Sequence, residues 1–406
     1  MTILVIFLIL IFSYSLISAV VERTRLTAPI VFTAVGIGVG SFATNLQSYA
    51  IDTETFLSVA ELGLVLLLFT DGGRISMRFG GGLRSVPARL LSIGMVLTIA
   101  LGLLAALVLF GSLSIWEAGV LAAILAPTDA GLGQAIVSDR RVPRHIRESL
   151  NVEAGLNDGL SVPFLLFFIA LAENAEGVDV QLSHYFVAQF GYGLAIGLAV
   201  GWAGSRLFAA AIHRDWIGPA YRHMAVAALP MMCVLASEAV GASMFIAAFI
   251  AGLAARDGLG QSHVTHHSSE FAEEWGELIN LTVFFLFGLV VAVQWDDLAP
   301  VHFLYALLSL TVVRMLPVAI ALIGTGLRRS TVLFMGWFGP RGLASIVLGL
   351  VYLEHSADQA SVTIRAAVIA TVLVSILAHG LSAKSGVQHY AGKVDKMPQD
   401  AVEKIG

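Results

Sequence analysis

Thirteen stretches of this chain are apolar and long enough to cross about 30 Å of hydrocarbon as helix, a distance that takes roughly 20 residues. They lie near 2–21, 28–44, 55–73, 86–110, 115–137, 146–173, 183–212, 221–236, 239–256, 271–294, 299–325, 330–353 and 362–382. Such a chain has little choice of fold, because lipid offers the backbone no hydrogen bonds and a helix satisfies its own. The pattern predicts an all-α polytopic membrane protein of about thirteen transmembrane helices. Composition agrees, since 57% hydrophobic and 13% charged residues do not suit a soluble globular domain of 406 residues. No basic stripe suggests nucleic acid as a partner. The single cysteine, Cys233, excludes a disulfide framework and a cysteine-based zinc site, and is expected to pack in the core. The first stretch lacks a basic leader and is followed at once by Arg23 and Arg25, which reads as a retained helix.

Loop charges give the expected orientation. With alternate loops taken as cytoplasmic, every Lys and Arg except Arg314, Arg341 and Arg365 falls on one side. The other side collects Asp52, Glu54, Glu173, Glu176, Asp179, Asp296 and Asp297. The positive-inside rule then predicts a multi-pass cell-membrane protein with its amino terminus outside and its carboxyl terminus in the cytoplasm.

Two spans carry a proline beside a charge. The fifth contains Ala126-Pro-Thr-Asp129 and the twelfth Phe338-Gly-Pro-Arg-Gly342. Pro127 and Pro340 are 213 positions apart, Ala28 and Ala242 214, and Gly72 and Gly288 216. This near-constant offset predicts two six-helix repeats, 1–173 and 221–383, joined by a linking helix within 174–220 and followed by a short tail, 384–406. One span between the copies inverts the second in the membrane. Inverted repeats with interrupted helices are the architecture of secondary transporters, which bind substrate at the breaks. Asp129 suits the positive N-terminal ends of half-helices and Arg341 the negative C-terminal ends, so the two broken helices are expected to cross. Prolines that merely kink packed helices are the plainer alternative.

The sixth span carries Glu153-Ala-Gly-Leu-Asn-Asp158, two carboxyl groups where an ion is expensive. Glu153 and Asn157 stand at i and i+4 on one helical face, and Asp158 is turned about 100° further. Burial disfavours a carboxylate's charged form, and either a proton or a hard cation with oxygen ligands relieves that cost. One carboxylate holding either, never both, couples two flows by competition.

Taken together and in order, Phe69-Thr-Asp-Gly72, Ala126-Pro-Thr-Asp129, Glu153 to Asp158 and Phe338 to Gly342 resemble the cation/proton antiporter-1 family, in particular its prokaryotic sodium/proton antiporters of the NhaP type. The resemblance implies an ion-translocating core, here 86–173 with 299–383, and a remainder that forms a homodimer. It implies that Asp158 is the ion-binding carboxylate, Asn157 its partner, Thr128 and Asp129 the unwound segment, and Asp71 the acidic residue of the third span. It further implies a structural ion pair between Glu153 and Arg314, with Arg341 at the crossing. Many relatives carry a hydroxyl residue where this chain has Ala154, which removes a possible cation ligand.

The implied activity is secondary antiport of a monovalent cation and protons, with no catalytic residue and no cofactor. Sodium or lithium exchanged one for one is expected, because a single exchanging carboxylate carries the same charge with either ion. Sodium is then held by Asp158 and Thr128. Potassium is the runner-up. A channel would need a continuous polar pathway, and an intramembrane aspartyl hydrolase pairing Asp71 with Asp158 would have no use for Arg341. Three other features have plainer readings. Ser161 reads as a satisfied helix hydroxyl, Gly80-Gly81-Gly82 as a flexible connection, and His263, His266 and His267 as solvated rather than pH-sensing.

Overall fold

The structure is a computed structural model and describes residues 2–21, 23–42, 53–74, 85–129, 131–133, 136, 139–175, 182–259, 265–355, 359–398 and 401–404. The chain opens with α1 (Thr2–Val21), α2 (Ala28–Phe42) and α3 (Thr53–Arg74). Next, α4 starts as Ser85–Arg89, widens through a π-helical turn, Leu90–Gly94, and continues as Met95–Leu109. The short α5 (Ile115–Ile124) precedes the long α6 (Arg144–Ala175). A second π-turn, Val187–Tyr192, joins Leu182–Phe186 to Gly193–His213 in α7. Then follow α8 (Pro219–Val240), α9 (Met244–Leu259), α10 (Thr265–Val293), α11 (Pro300–Leu310) and α12 (Val312–Ala321). The last are α13 (Arg329–Trp337), α14 (Leu343–His355) and α15 (Gln359–Asp395).

No strand occurs among the described residues, and eight helices are long and apolar enough to cross a membrane. Each apolar window of the sequence coincides with a helix or with a pair of shorter ones. Three differ from a simple span. The helix that opens the fifth window ends at Ile124, and the twelfth splits into α13 and α14 around Phe338–Gly342. The eleventh, expected to be continuous, is interrupted at Thr311 (φ −108°, ψ −89°). There the Thr311 hydroxyl donates back to Leu307 O at 2.5 Å, a local bond that competes with regular helix. The last helix runs thirteen residues beyond the window's end at 382, to Asp395.

Contacts group the chain into two compact units, each described by itself. The larger holds 1–58, 80–157 and 280–406, and the smaller 59–79 and 158–279. In the larger, Leu90, Ile146, Val318, Phe334, Val387 and Tyr390 belong to one buried cluster, with the Phe334 and Tyr390 rings stacked at 4.1 Å. In the smaller, α7 lays Gly197 and Gly201 on the α9 backbone at Ala247 and Ala251, the close approach that small residues allow between membrane helices.

Each unit also contains one glycine-on-glycine helix crossing, and the two are equivalent. In the larger, a Cβ on Gly36 (α2) would stand 2.2 Å from Phe285 O and 3.0 Å from the Gly288 Cα of α10. In the smaller, a Cβ on Gly252 (α9) would stand 2.1 Å from Phe69 O and 3.0 Å from Gly73 N of α3, while one on Gly72 would meet Phe249 O at 2.4 Å. An offset of 216 carries Gly36 onto Gly252 and Gly72 onto Gly288. The contact between the second and tenth spans thus has its counterpart between the ninth and the third.

Candidate functional site

The site is built in the larger unit where two helices stop short. α5 begins at a capping box, in which the Ser114 hydroxyl accepts from Glu117 N–H and the Glu117 carboxylate accepts from Ser114 N–H at 2.5 Å. It ends at Ile124, and Pro127 lacks the N–H that would continue it. α13 ends at Trp337 and α14 starts only at Leu343. The two breaks touch: Asp129 N–H donates to Pro340 O at 2.8 Å.

Each break carries the charge that the other's backbone requires. Arg341 Nη1 donates to Ala126 O at 2.6 Å and to Pro127 O at 2.8 Å, the carbonyls that follow α5. Asp129 Oδ2 accepts from Leu343 N–H at 2.6 Å, at the start of α14, and Oδ1 accepts from Gly131 and Leu132 N–H at 2.7 and 3.1 Å. A carboxylate thus sits at N-terminal donors and a guanidinium at C-terminal acceptors, as the helix dipole favours. Glycine makes the fit possible. A Cβ on Gly342 would lie 1.9 Å from Asp129 Oδ2, and one on Gly339 would lie 2.3 Å from Arg314 Nε.

α6 brings its polar face to this crossing. Glu153 Oε1 lies 2.6 Å from Arg314 Nη1 of α12, both side chains buried. Arg314 Nε and Nη2 have no hydrogen-bond partner among the described residues. Asn157 makes a reciprocal pair with Thr128, accepting its N–H on Oδ1 at 3.1 Å and donating Nδ2–H to its hydroxyl at 2.7 Å. A backbone N–H can only donate, so the amide orientation is fixed by its neighbour. Beside this pair lies a cavity of about 10 Å³, lined among others by Thr128, Asp129, Glu153, Ala154, Phe338 and Pro340. That is room for about one water, and Ala154 presents a methyl group to it.

Asp158 follows Asn157 on α6 and is buried at 3% exposure. Ser161 donates its hydroxyl to Asp158 O at 2.8 Å, a local helix bond. In the smaller unit Gly159 and Gly72, the residues that follow Asp158 and Asp71, pack on the same aromatic residue of α9. A Cβ on Gly159 would press on the Phe249 ring at 2.7 Å, and one on Gly72 on Phe249 O. Asp71, the acidic residue of the third span, is buried at 8%. Gly80-Gly81-Gly82 and His263 lie outside the described residues, and of His266 and His267 only the backbone is described, as part of α10.

Sequence reasoning missed four residues that complete the site. Ser375 Oγ accepts Arg341 N–H at 2.7 Å. His379, one turn on, reaches Trp337 O with Nε2 at 2.9 Å and Ser375 Oγ with Nδ1 at 3.1 Å. Nδ1 also lies 3.0 Å from Ser375 O, so each ring nitrogen faces a backbone carbonyl, and His379 sits at the C-terminal end of α13. Asn280 turns its carboxamide toward Gly131, where a Cβ would meet Nδ2 at 2.6 Å, and its Oδ1 has no partner among the described residues. Glu403, in the tail, accepts from Arg328 N–H and from the Thr331 hydroxyl, both at 2.8 Å, and so caps the N-terminal end of α13. Lone Ser, His and Asn residues inside apolar spans were the available signal for the first three. Nothing local marks Glu403.

Two interrupted helices crossing at their breaks, with buried charges on the freed backbone ends of an apolar all-helical chain, define a polytopic membrane protein of the secondary-transporter class. The chain belongs to the sodium/hydrogen exchanger (transmembrane) family, which it matches over residues 7–388. It is 28% identical to the K(+)/H(+) antiporter NhaP of Alkalimonas amylolytica over 99% of this chain and 70% of that protein. It is 29% identical to a sodium, potassium, lithium and rubidium/H(+) antiporter of Bacillus subtilis (strain 168), over 55% of this chain and 33% of that protein. The fold is that of the sodium proton antiporter MjNhaP1 from Methanocaldococcus jannaschii, with a TM-score of 0.77, 18% identity, and coverage of 98% of this chain and 99% of that one.

Proposed function

We propose that this protein exchanges sodium ions for protons across the plasma membrane by alternating access, with Asp158 as the carboxylate that binds either ion. The observation that carries the reading is the pair of crossed breaks beside α6, whose Glu153 and Asn157 already have work to do. Arg314 neutralises Glu153, so that carboxyl has no net charge to trade. Asn157 fixes Thr128, and with it the unwound Thr128-Asp129 segment against which a cation would be held. Asp158, buried in the same helix, is the acid whose charge in the membrane is relieved by a proton or by a cation. Asp71, buried in α3, is assigned an accessory place on the ion path. Because the loaded site carries the same charge either way, exchange is one for one and moves no net charge.

The family's description favours sodium. The name of the Alkalimonas relative favours potassium, and Ala154, which offers no hydroxyl, suits a less demanding shell. In this reading 86–173 with 299–383 carry the ion, the remainder forms a homodimer, and the arginine-rich loops and the tail face the cytoplasm.

Proteoliposomes loaded with a pH-sensitive dye and challenged with sodium, lithium or potassium test the proposal. Sodium-driven proton efflux is expected, independent of membrane potential and absent in Asp158→Asn protein that still reconstitutes. Efflux that persists in that variant refutes the site, and efflux driven by potassium alone replaces the cation.

A further inference from the structure

A groove of about 440 Å³ runs between α13 and α15 and shares Phe338 with the water-sized cavity at the crossing. Its volume lies within the usual range of ligand pockets, about 300–1,000 Å³. The groove is polarised along its length. At one end Trp337 donates its indole N–H to Ser382 Oγ at 3.0 Å, beside Leu333 and Phe338. At the other, Ser385, His389 and Lys393 line up on α15 at helical spacing, next to Tyr390 and Ser330. Tyr390 donates to Thr331 at 3.1 Å, which sets the direction: the start of α13 lies at the Lys393 end and its break at the Ser382 end. None of the described residues lining the groove is acidic. Gly386 keeps the floor open, since a Cβ there would stand 2.4 Å from the Phe338 ring.

Depth in the membrane follows from length. The 37 residues of α15 extend about 55 Å at 1.5 Å per residue, far more than the roughly 30 Å of hydrocarbon. Because the apolar window of this helix ends near residue 382, the Lys393 end emerges among headgroups while the Trp337 end stays at acyl depth. Basic and hydroxyl donors at headgroup level above an aromatic, apolar slot match an anionic amphiphile. We propose that this groove binds one anionic phospholipid, its phosphate on Lys393, His389 and Ser385 and an acyl chain along Leu333 and Trp337. The assignment does not depend on which cation is transported. Because Phe338 walls both the groove and the cavity at the crossing, the bound lipid rests one side chain from the ion site.

Native mass spectrometry of the full chain in detergent, titrated with dioleoyl-phosphatidylglycerol or dioleoyl-phosphatidylcholine, tests this. One phosphatidylglycerol is expected to bind in preference to phosphatidylcholine. Lys393→Ala should weaken it about fivefold, the worth of one basic residue at an anionic lipid surface, and Lys393→Arg should retain it. Ser385→Trp keeps every charge and fills the groove, and is expected to remove the bound lipid. Equal affinity for the two lipids, or phosphatidylglycerol binding unchanged in either Lys393→Ala or Ser385→Trp, overturns the proposal. So does displacement of the lipid by an equal concentration of inorganic phosphate, which would make the groove a phosphate site.

Discussion

The two interrupted helices are held in opposite ways. α5 is capped by its own sequence, through Ser114 and Glu117 three residues apart, whereas α13 is capped by Glu403, 75 residues from the Arg328 it holds. The contrast continues at the breaks. The first projects a carboxylate, Asp129, toward its partner. The second supplies a guanidinium, Arg341, and two glycines that make room, Gly342 for Asp129 and Gly339 for Arg314. Neither break is satisfied alone, because the group that completes each backbone end belongs to the other or to α15. A crossing built this way is fixed in register even though both helices are broken.

The asymmetry between the breaks can be broken most severely at Arg341. Arg341→Ala removes two charge-assisted hydrogen bonds and strands two buried carbonyls, and should cost at least about 3 kcal/mol in thermal unfolding of the detergent-solubilised protein. Asp129→Asn keeps one acceptor oxygen for the N-terminal donors, so a smaller loss of about 1–3 kcal/mol is expected. Equal losses would mean that the two breaks are not held as described.

Gly339→Ala tests the room made by the second break. The added methyl would overlap the Arg314 guanidinium, and forcing it into a packed site should cost about 1–3 kcal/mol. Most of that cost should vanish when Arg314 is already Met and Glu153 already Gln. A Gly339→Ala penalty unchanged in that background would show that the clash lies elsewhere.

The smallest effect is expected at the remote cap. Burial pushes the Glu403 carboxyl up, but the Arg328 N–H, the Thr331 hydroxyl and the nearby Arg328 charge pull it down and prevail, so it titrates below its ordinary value of 4.5. A carboxylate depressed on folding contributes stability that is fully present above the unfolded value and is lost as pH falls through the folded one. Glu403→Gln should therefore cost about 1 kcal/mol near neutral pH. Its difference from the wild type should hold down to about pH 5 and close below about pH 4. Differential scanning fluorimetry across that range reads the gap, and a gap that widens on acidification would reverse the assignment.

How much could be read in advance depended on how local each signal was. The proline-charge runs at 126–129 and 338–342 marked both breaks, and the Ser114-x-x-Glu117 pattern marks a helix start in any context. The interruption at Thr311 was hidden, because no proline or glycine stands within five residues of it. Asn157 was legible as a polar residue on the Glu153 face, but its lock on Thr128 spans 29 positions and appears only when the two helices meet.

The sequence by itself determined that the chain is a bundle of membrane-spanning helices, two of them interrupted. Hydrophobic run length, positive charge in alternate loops and a recurring proline offset are properties of the one-dimensional string. Tertiary structure alone decided which charge answers which helix end, that Arg314 sits over Gly339, that His379 sits at the end of α13, and that Glu403 reaches back from the tail. Those choices depend on angles and separations of a few ångströms between segments far apart in sequence, where a hydrogen bond forms or fails. No periodicity along the chain records them.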